Sequence, residues 1–342
     1  MNFGMFTDFH VRSGKSQAEA FDESFAQVME AERLGFDTVW LAEHHFSPER
    51  AVLASPMVIA SAIAARTQRI RVGLAVQVLP LTNPLRVAEE AATVDHISKG
   101  RFDFGIGRSG LTRYYQGYNV PYEESRPRFL EALNVIMKAW QNENFSHEGD
   151  YHSYQDVTVV PRPYQQPYPP VRVAVAGEET FPLIGRMGHS IFVSGNTAKD
   201  VLKERLAAYR QSLTASGHTG PGDIAVRVPV YVAETTEKAR SEPEASAKAA
   251  IQYAATELSK TAATPEAAEN LRQAAAAPYE EVLDTRVVFG TPEEVTERLK
   301  AYQEDFGATG VVMEMNYGGQ IPCDQVRSSL RLLAEKVMPR FK

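Results

Sequence analysis

The chain has 342 residues, a formal net charge of −7 and a single cysteine, Cys323. The acidic balance argues against a protein that binds the phosphate backbone of nucleic acids, and one thiol excludes an internal disulfide and a cysteine-ligated zinc site. No stretch reaches the roughly 20 apolar residues of a membrane helix, and no secretory signal is present. We therefore expect a cytoplasmic protein, folded as one domain over residues 1–342, with neither a membrane nor a nucleic acid as partner.

Short apolar runs alternate with longer segments of helical periodicity along the chain. In chain order the first half predicts a strand at 3–6, a helix at 18–34, a strand at 37–42, a helix at 56–66, a strand at 70–79, a helix at 84–98, a strand at 101–106 and a helix at 126–141. The second half predicts strands at 171–176, 190–193, 224–232 and 309–315. Apolar strands linked by helices imply a parallel sheet that is covered on both faces.

Eight predicted strands favour a single (β/α)₈ barrel, the TIM barrel of the α/β class. A doubly wound open sheet is the alternative, but no Gly-x-Gly-x-x-Gly motif follows the first strand. Residues 144–170 are rich in Tyr, Pro and His and predict an excursion or hairpin before the fifth strand. Residues 242–279 follow the seventh strand and predict a helix, then a polar, weakly specified region at 261–278. This segment is either a mobile lid or a solvated surface helix.

The catalytic groups of such barrels lie at the carboxyl ends of the strands. The second strand ends in two adjacent histidines, His44 and His45. Imidazole titrates near neutral pH and suits acid–base work. Side chains alternate along a strand, so we expect one histidine to face the site and the other to be a hydrogen-bonded core residue. Metal binding needs further ligands at suitable spacing, and since none stand nearby we predict no metal.

The ends of the third and fourth strands suggest a cofactor. Gly73 and Ala75 are small, so they belong either to an ordinary tapered barrel core or to a place where a flat ligand approaches the backbone. The fourth strand ends in a glycine-rich loop with Arg108, and Arg126 follows one loop later. Two arginines beside such a loop suit an anion such as phosphate. The alternative is a flexible turn with surface arginines.

A turn after the fifth strand offers a second anion-binding element. Gly177 and Thr180 stand where a helix would begin, and free N–H groups at a helix start bind phosphate. Glu178 and its acidic neighbour argue against a strongly anionic site unless they turn away. The alternative is an ordinary helix cap, in which Thr180 or Glu178 accepts from first-turn amides.

Several stretches together resemble the bacterial luciferase-like family of flavin-dependent monooxygenases. They are residues 31–37, 41–46, 72–80, 83–89, 95–107, 290–295 and 337–339. Within them the Ser-Lys-Gly-Arg-Phe turn and the Phe-Gly-Ile-Gly strand end of residues 98–107 are the most specific. The resemblance covers nearly the whole chain, and it implies a (β/α)₈ barrel with a flavin at the carboxyl-terminal face.

The resemblance also implies roles for single residues. His44 matches the histidine that handles the flavin peroxide, and Ala75 and Val76 match a cis peptide behind the isoalloxazine ring. Arg108 and Arg126 match phosphate-binding arginines. The implied cofactor contacts are therefore Ala75, Val76, Arg108, Arg126, Gly177, Glu178 and Thr180. The sequence departs from the luciferase pattern at Gly107, which replaces a reactive cysteine, and in a phosphate turn that is one residue shorter.

The function that the resemblance implies is an oxidoreductase of the two-component type. Reduced FMN (FMNH₂) from a separate flavin reductase reacts with O₂ to give a flavin C4a-hydroperoxide, which oxidises a small organic substrate such as an aldehyde or ketone. A homodimer built on the helices at 56–66 and after Pro84 is also implied. Two alternatives stay open: an F420-dependent oxidoreductase that transfers hydride, and a non-catalytic partner subunit. His44 and the two arginines favour catalysis over the second.

Overall fold

The computed structural model describes residues 1–262 and 264–341. The barrel strands are β1 Asn2–Thr7, β2 Thr38–Leu41, β3 Arg71–Leu74, β4 Phe102–Gly107, β5 Val171–Ala174, β6 Ser190–Ser194, β7 Ile224–Val232 and β8 Gly310–Glu314. Each pairs in parallel with the next, and β8 pairs with both β7 and β1, so the sheet closes. The predicted TIM barrel is confirmed, and the open-sheet alternative is wrong.

Helices cover the outside of the barrel. The longer ones are Gln17–Leu34, Pro56–Arg66, Pro84–Ser98, Ser125–Gln141, Thr180–Met187, Lys199–Ala215, Glu244–Tyr253, Pro265–Ala276, Pro292–Phe306 and Cys323–Leu332. Shorter helices are Thr112–Gly117, Thr236–Ser241 and Tyr279–Thr285, and shorter strands are Gln77–Val78, Phe145–Glu148, Ser153–Val157 and Val288–Gly290. No helix in the described part of the chain is long and apolar enough to cross a membrane.

Local sequence explains where several of these helices begin and end. Ser16 and Thr291 each form a capping box with the glutamate three residues later, which satisfies two otherwise unpaired N–H groups. Gly35 ends the first helix in the left-handed conformation, with φ at 81°. These signals account for the close agreement between the predicted and observed helix bounds.

Two predicted segments need correction. The single strand predicted at 70–79 is two strands, because a cis peptide between Ala75 and Val76 interrupts it. The weakly specified region predicted at 261–278 is largely the helix Pro265–Ala276, which Thr264 caps by accepting from the backbone N–H of Ala267. Ala263 in that region lies outside the described residues. The predicted excursion at 144–170 is confirmed and contains an antiparallel hairpin.

The interior of the barrel is filled at its lower level by Trp40. A Cβ atom on Gly73 would lie 2.2 Å from the indole ring, and one on Gly4 would lie 2.4 Å from it. Phe192 packs edge-on against the same ring, at 4.9 Å between centroids. Gly73 is therefore small to make room for the indole, so the tapered-core interpretation is correct at that position.

Candidate active site

Above the Trp40 level the barrel mouth is open on the side of β3 to β6. The next inward positions there carry small side chains, among them Ala75, Gly107, Ala174 and Ser194. Ala174 and Ser194 are exposed although they belong to barrel strands. The floor of the mouth is therefore flat and shallow on this side, which suits a planar ligand.

The cis peptide between Ala75 and Val76 forms part of this floor, and it is the geometry that the resemblance implied. Two glycines of β4 make room for it. A Cβ on Gly105 would lie 1.6 Å from the carbonyl oxygen of Leu74, and one on Gly107 would lie 2.6 Å from Cγ2 of Val76. The cysteine found at the position of Gly107 in luciferase would therefore require Val76 to move.

A cavity of about 300 Å³ extends outward from the floor. Five of the seven residues implied as cofactor contacts line it, namely Val76, Arg108, Arg126, Gly177 and Thr180. Ala75 and Glu178 are not among its lining residues. The acidic side chain that reaches the cavity is Glu179, which accepts a hydrogen bond from Arg126 at 3.0 Å.

The outer end of the cavity is basic. The exposed Arg108 donates to Ser125 Oγ at 3.0 Å, and Arg126 stands at the same end. The helix Thr180–Met187 begins here without a side-chain cap; because Thr180 N–H already donates to Gly177 O at 3.0 Å and Pro182 has no N–H, the N–H of Phe181 and the helix dipole are what this start offers to an anion. Two guanidinium groups, an uncapped helix start and a flat floor together fit a planar cofactor that carries a phosphate.

His44 lies outside this cavity, in a polar cluster at the end of β2. Its Nδ1 lies 2.8 Å from Tyr114 Oη, and its Nε2 accepts from Arg50 Nε at 3.3 Å. Nε2 also lies 3.4 Å from a carboxylate oxygen of Asp8. Burial and the charge of Arg50 outweigh the carboxylate and lower the pKa of His44 to about 4. The imidazole is therefore neutral at pH 7, with one nitrogen able to donate and the other to accept.

His45 occupies a different environment, as strand alternation predicts. It is buried, with Nε2 at 2.8 Å from Glu43 Oε1 and Nδ1 at 3.2 Å from Tyr118 Oη. The other oxygen of Glu43 accepts from Gln77 Nε2 at 2.7 Å and from the backbone of Val78 at 2.9 Å. His45 thus orients the carboxylate of Glu43, which in turn fixes Gln77 and Val78 just after the cis peptide.

A second polar cluster lies beside His44 and joins the ends of β1 and β8. Asp8, His10 and Glu314 place ligand atoms within 4.8 Å of one another, a spacing that a metal ion would accept. Arg50 pairs with Asp8 at 3.2 Å and Arg227 pairs with Glu314 at 2.6 Å, so both carboxylates already face cations. The absence of a metal stays a prediction.

The pKa values in this cluster follow from its charges. Burial would raise the pKa of Asp8, but His10, His44 and Arg50 outweigh it and hold that pKa well below its usual range. Burial likewise would lower the pKa of His10, but the Asp8 carboxylate raises it. Asp8 is therefore ionised at neutral pH, beside the neutral imidazole of His44.

The segment after β7 reaches across to the loop after β4. Thr112 Oγ1 donates to the carbonyl of Thr261 at 3.1 Å, and Arg113 lies 3.5 Å from Glu257. Leu111 and Ala262 form an isolated antiparallel bridge. The segment thus contacts the rim of the mouth, where a lid would lie. Its mobility stays a prediction.

The fold and this site define a barrel protein with a flat-floored pocket whose outer end carries two arginines. The model of the luciferase-like monooxygenase family matches residues 1–309, and the chain belongs to this family. The oxygenase component of the flavin-dependent trigonelline monooxygenase of Acinetobacter baylyi is 26% identical, over 100% of this chain and 96% of that protein. The chain spans about half the length of the first curated relatives that it matches.

Solved structures agree with this family over the full length. The monooxygenase RslO1 from Streptomyces bottropensis has a TM-score of 0.85 and 27% identity, covering 100% of both chains. The oxygenating constituent of 3,6-diketocamphane monooxygenase from Pseudomonas putida, solved with FMN, has a TM-score of 0.81 and 21% identity, covering 99% of this chain and 98% of that one. Dehydrogenases that use F420 are also among the similar proteins.

Proposed function

We propose that this protein is the oxygenase component of a two-component FMN-dependent monooxygenase that oxidises a small organic substrate such as an aldehyde or ketone. The observation that carries the proposal is the floor of small residues on β3 to β6, continued by a cavity with Arg108 and Arg126 at its outer end. A separate reductase supplies the reduced FMN. When bound, reduced FMN supplies the electrons with which O₂ delivers one oxygen atom to the substrate and one to water.

The residues of the chain itself bind the cofactor, orient its ring and exclude water from the mouth. Arg108, Arg126 and the start of the helix Thr180–Met187 hold the phosphate, and the small residues of β3 to β6 accept the ring. His44, neutral at pH 7, moves a proton during oxygen transfer through Nδ1, which lies 2.8 Å from Tyr114 Oη. The segment after β7, bound to the rim through Thr112 and Arg113, keeps water out of the mouth.

Isotope labelling tests the proposal. The purified protein, photoreduced FMN and ¹⁸O₂ are incubated with a series of aldehydes and ketones, and products are analysed by mass spectrometry. We expect one ¹⁸O atom in the oxidised product of at least one substrate. Release of all the oxygen as H₂O₂ with every substrate would argue against this function.

An F420-dependent oxidoreductase is the second candidate. Glu179 already pairs with Arg126 at the outer end of the cavity, at 3.0 Å, which reduces the positive charge available to the FMN phosphate. Titration with reduced FMN and reduced F420 in parallel separates the two. Tighter binding of F420, with reduction of a substrate in the absence of O₂, would favour the second candidate.

Arg108→Ala should weaken binding of reduced FMN by about 1.5–3 kcal/mol, the usual range for a charge-assisted hydrogen bond. The side chain lines the cavity and is exposed, so its loss costs little stability. Anaerobic titration measures the affinity. Arg272→Ala, on the exposed helix Pro265–Ala276, is the matched control and should bind reduced FMN as the wild type does. Equal affinity of the two variants would make Arg108 a plain surface arginine.

We expect a homodimer built on the helices Pro56–Arg66 and Pro84–Ser98. Each carries an exposed apolar residue, Val58 at 66% and Ile97 at 41% exposure, which a partner would cover. Val58→Glu should therefore convert the dimer to a monomer in sedimentation velocity at micromolar concentration. Val201→Glu, an exposed valine on the helix Lys199–Ala215, should leave the dimer intact. A monomeric wild type would refute the expectation.

A further inference from the structure

At the carboxyl-terminal end of the barrel, His10 Nε2 and Glu314 Oε1 are buried without a hydrogen-bond partner among the described residues, and so are three donor atoms. The donor atoms are Nε of Arg227, Nε of Arg286 and Oη of Tyr253. They belong to β7 and to the segment that follows it, on the side of the mouth away from the flat floor. Buried donors are almost always paired in folded proteins, so three unpaired ones on one side of the mouth point to a missing acceptor.

Arg227 is placed to receive such an acceptor. It points inward from β7 and lies over the ring of Phe6, at 4.1 Å from the centroid. Its Nη2 donates to Glu314 at 2.6 Å, yet 40% of the side chain remains exposed. The guanidinium is thus fixed at one end by Glu314, while the rest of it faces the mouth.

Arg286 adds a guanidinium without a counterion. It stands just before the short strand Val288–Gly290, which pairs with the carboxyl end of β7. Asp8 and Glu314 are already paired with Arg50 and Arg227, whereas Arg286 forms no ion pair among the described residues. The cluster therefore holds one more fixed cation than it has carboxylates.

Backbone register brings two of these groups close, because Arg286 stands two residues before Val288, which pairs with Val230 on the strand that carries Arg227. The electrostatics of Tyr317, after β8, agree with this placement. Burial and Glu314 raise the pKa of Tyr317, and the charges of Arg50, Arg227 and Arg286 oppose that rise. All three guanidinium groups therefore lie within electrostatic reach of the same phenol. Tyr253 and Tyr317 are half-buried and supply aromatic surface in the same region, while Phe6 is buried beneath Arg227.

We propose that this side of the mouth binds the carboxylate of an aromatic acid substrate, with Arg227, Arg286 and the Tyr253 hydroxyl as its donors. The inference rests on the proposed function and narrows its substrate class. A guanidinium presents N–H groups in a fork that matches a carboxylate. One bound carboxylate would pair the unpartnered donors and balance the extra charge. The substrate would then lie across the mouth from the flavin floor.

Calorimetric titration with benzoate and with benzamide, its neutral isostere, tests the inference without requiring turnover. The wild type should bind benzoate about tenfold or more tightly than benzamide. Arg286→Met and Arg227→Met should remove that preference. Tyr253→Phe, which deletes a single oxygen atom, should weaken benzoate binding severalfold and leave benzamide unchanged. Arg272→Met, on an exposed helix, should keep the full preference.

Equal affinity for the two probes in the wild type would overturn the inference. So would loss of the preference in Arg108→Ala but not in Arg286→Met, because the carboxylate would then occupy the phosphate end of the cavity. Circular dichroism establishes that each variant is folded, and Tyr253→Phe keeps the test decisive if an arginine variant does not fold.

The ¹⁸O₂ assay separates this inference from the proposed function. A preference for benzoate together with no incorporation of oxygen into any substrate would overturn the monooxygenase proposal and support the carboxylate subsite. Oxygen incorporation with no preference for benzoate would do the reverse.

Discussion

Replacing His44 by alanine is expected to slow substrate oxidation by about 10²–10⁴-fold, the usual range for a general acid–base group. The affinity for reduced FMN should change little, because His44 contacts Tyr114, Arg50 and Asp8 and does not line the cofactor cavity. Oxygen consumption should continue, with the oxygen released as H₂O₂ instead of entering the product. Parallel measurements of product, O₂ and H₂O₂ check this expectation.

The pH profile provides an independent readout of His44. Its pKa is lowered to about 4, so the wild-type rate should show no loss of the neutral imidazole between pH 8 and pH 6. A decline that begins only as the pH falls toward 4 would match protonation of His44. If the rate instead fell with a midpoint near pH 6.5, the ordinary pKa of histidine, a group other than His44 would be responsible.

His45→Ala is the control for this prediction. His45 bonds to the buried Glu43 carboxylate, which in turn binds Gln77 and Val78. Its loss should lower the free energy of unfolding by about 1–3 kcal/mol, the cost of a buried polar group left unsatisfied. Oxidation per folded molecule should be far less affected than in His44→Ala. The opposite pattern would mean that the proton-transfer role belongs to His45.

Gly105→Ala is expected to lower the free energy of unfolding by about 3 kcal/mol or more, at the upper end of overpacking effects. The added Cβ would lie 1.6 Å from the carbonyl oxygen of Leu74. That atom is main chain and belongs to the end of β3, so no side-chain rotation relieves the overlap. Urea denaturation, followed by circular dichroism, measures the loss.

Gly110→Ala is the matched control, because a Cβ there meets nothing within 4 Å. Its free energy of unfolding should stay within about 0.5 kcal/mol of the wild type, as is usual for surface substitutions. If Gly105→Ala proved equally harmless, β4 would have to move away from Leu74 at little cost, and the close packing described here would not hold.

The sequence predicts the barrel well because each strand and helix carries its own signal. The apolar run of β7 and the proline at the start of the helix Pro84–Ser98 place both elements at their observed bounds. The helix Pro265–Ala276 was missed as such because its alanine-rich, polar sequence lacks a clear apolar stripe, although Thr264 and Pro265 are helix-start signals. The interruption at Ala75–Val76 leaves no trace in hydrophobicity and came only from the family resemblance.

The residues of the cavity were predictable from the sequence, whereas those of the polar cluster at the mouth were not. Arg108, Arg126, Gly177 and Thr180 lie close to recognisable turns, and the structure brings them to one cavity. Sequence reasoning missed Arg50, Tyr114, Arg227, Glu314 and Asp8, which meet at the mouth. Their neighbours are set by closure of the barrel, which brings the end of β8 beside the end of β1. A signal existed at Arg227 and Glu314, since a charged residue inside an apolar strand is unusual.

The indole of Trp40 closes the interior of the barrel below the mouth. Packed against Gly4, Gly73 and Phe192, it fills the lower level of the barrel interior. Ligands of the site proposed above would therefore enter and leave through the carboxyl-terminal mouth. The flavin and the substrate proposed above would share this mouth, so we expect product release and flavin exchange to compete for the same opening.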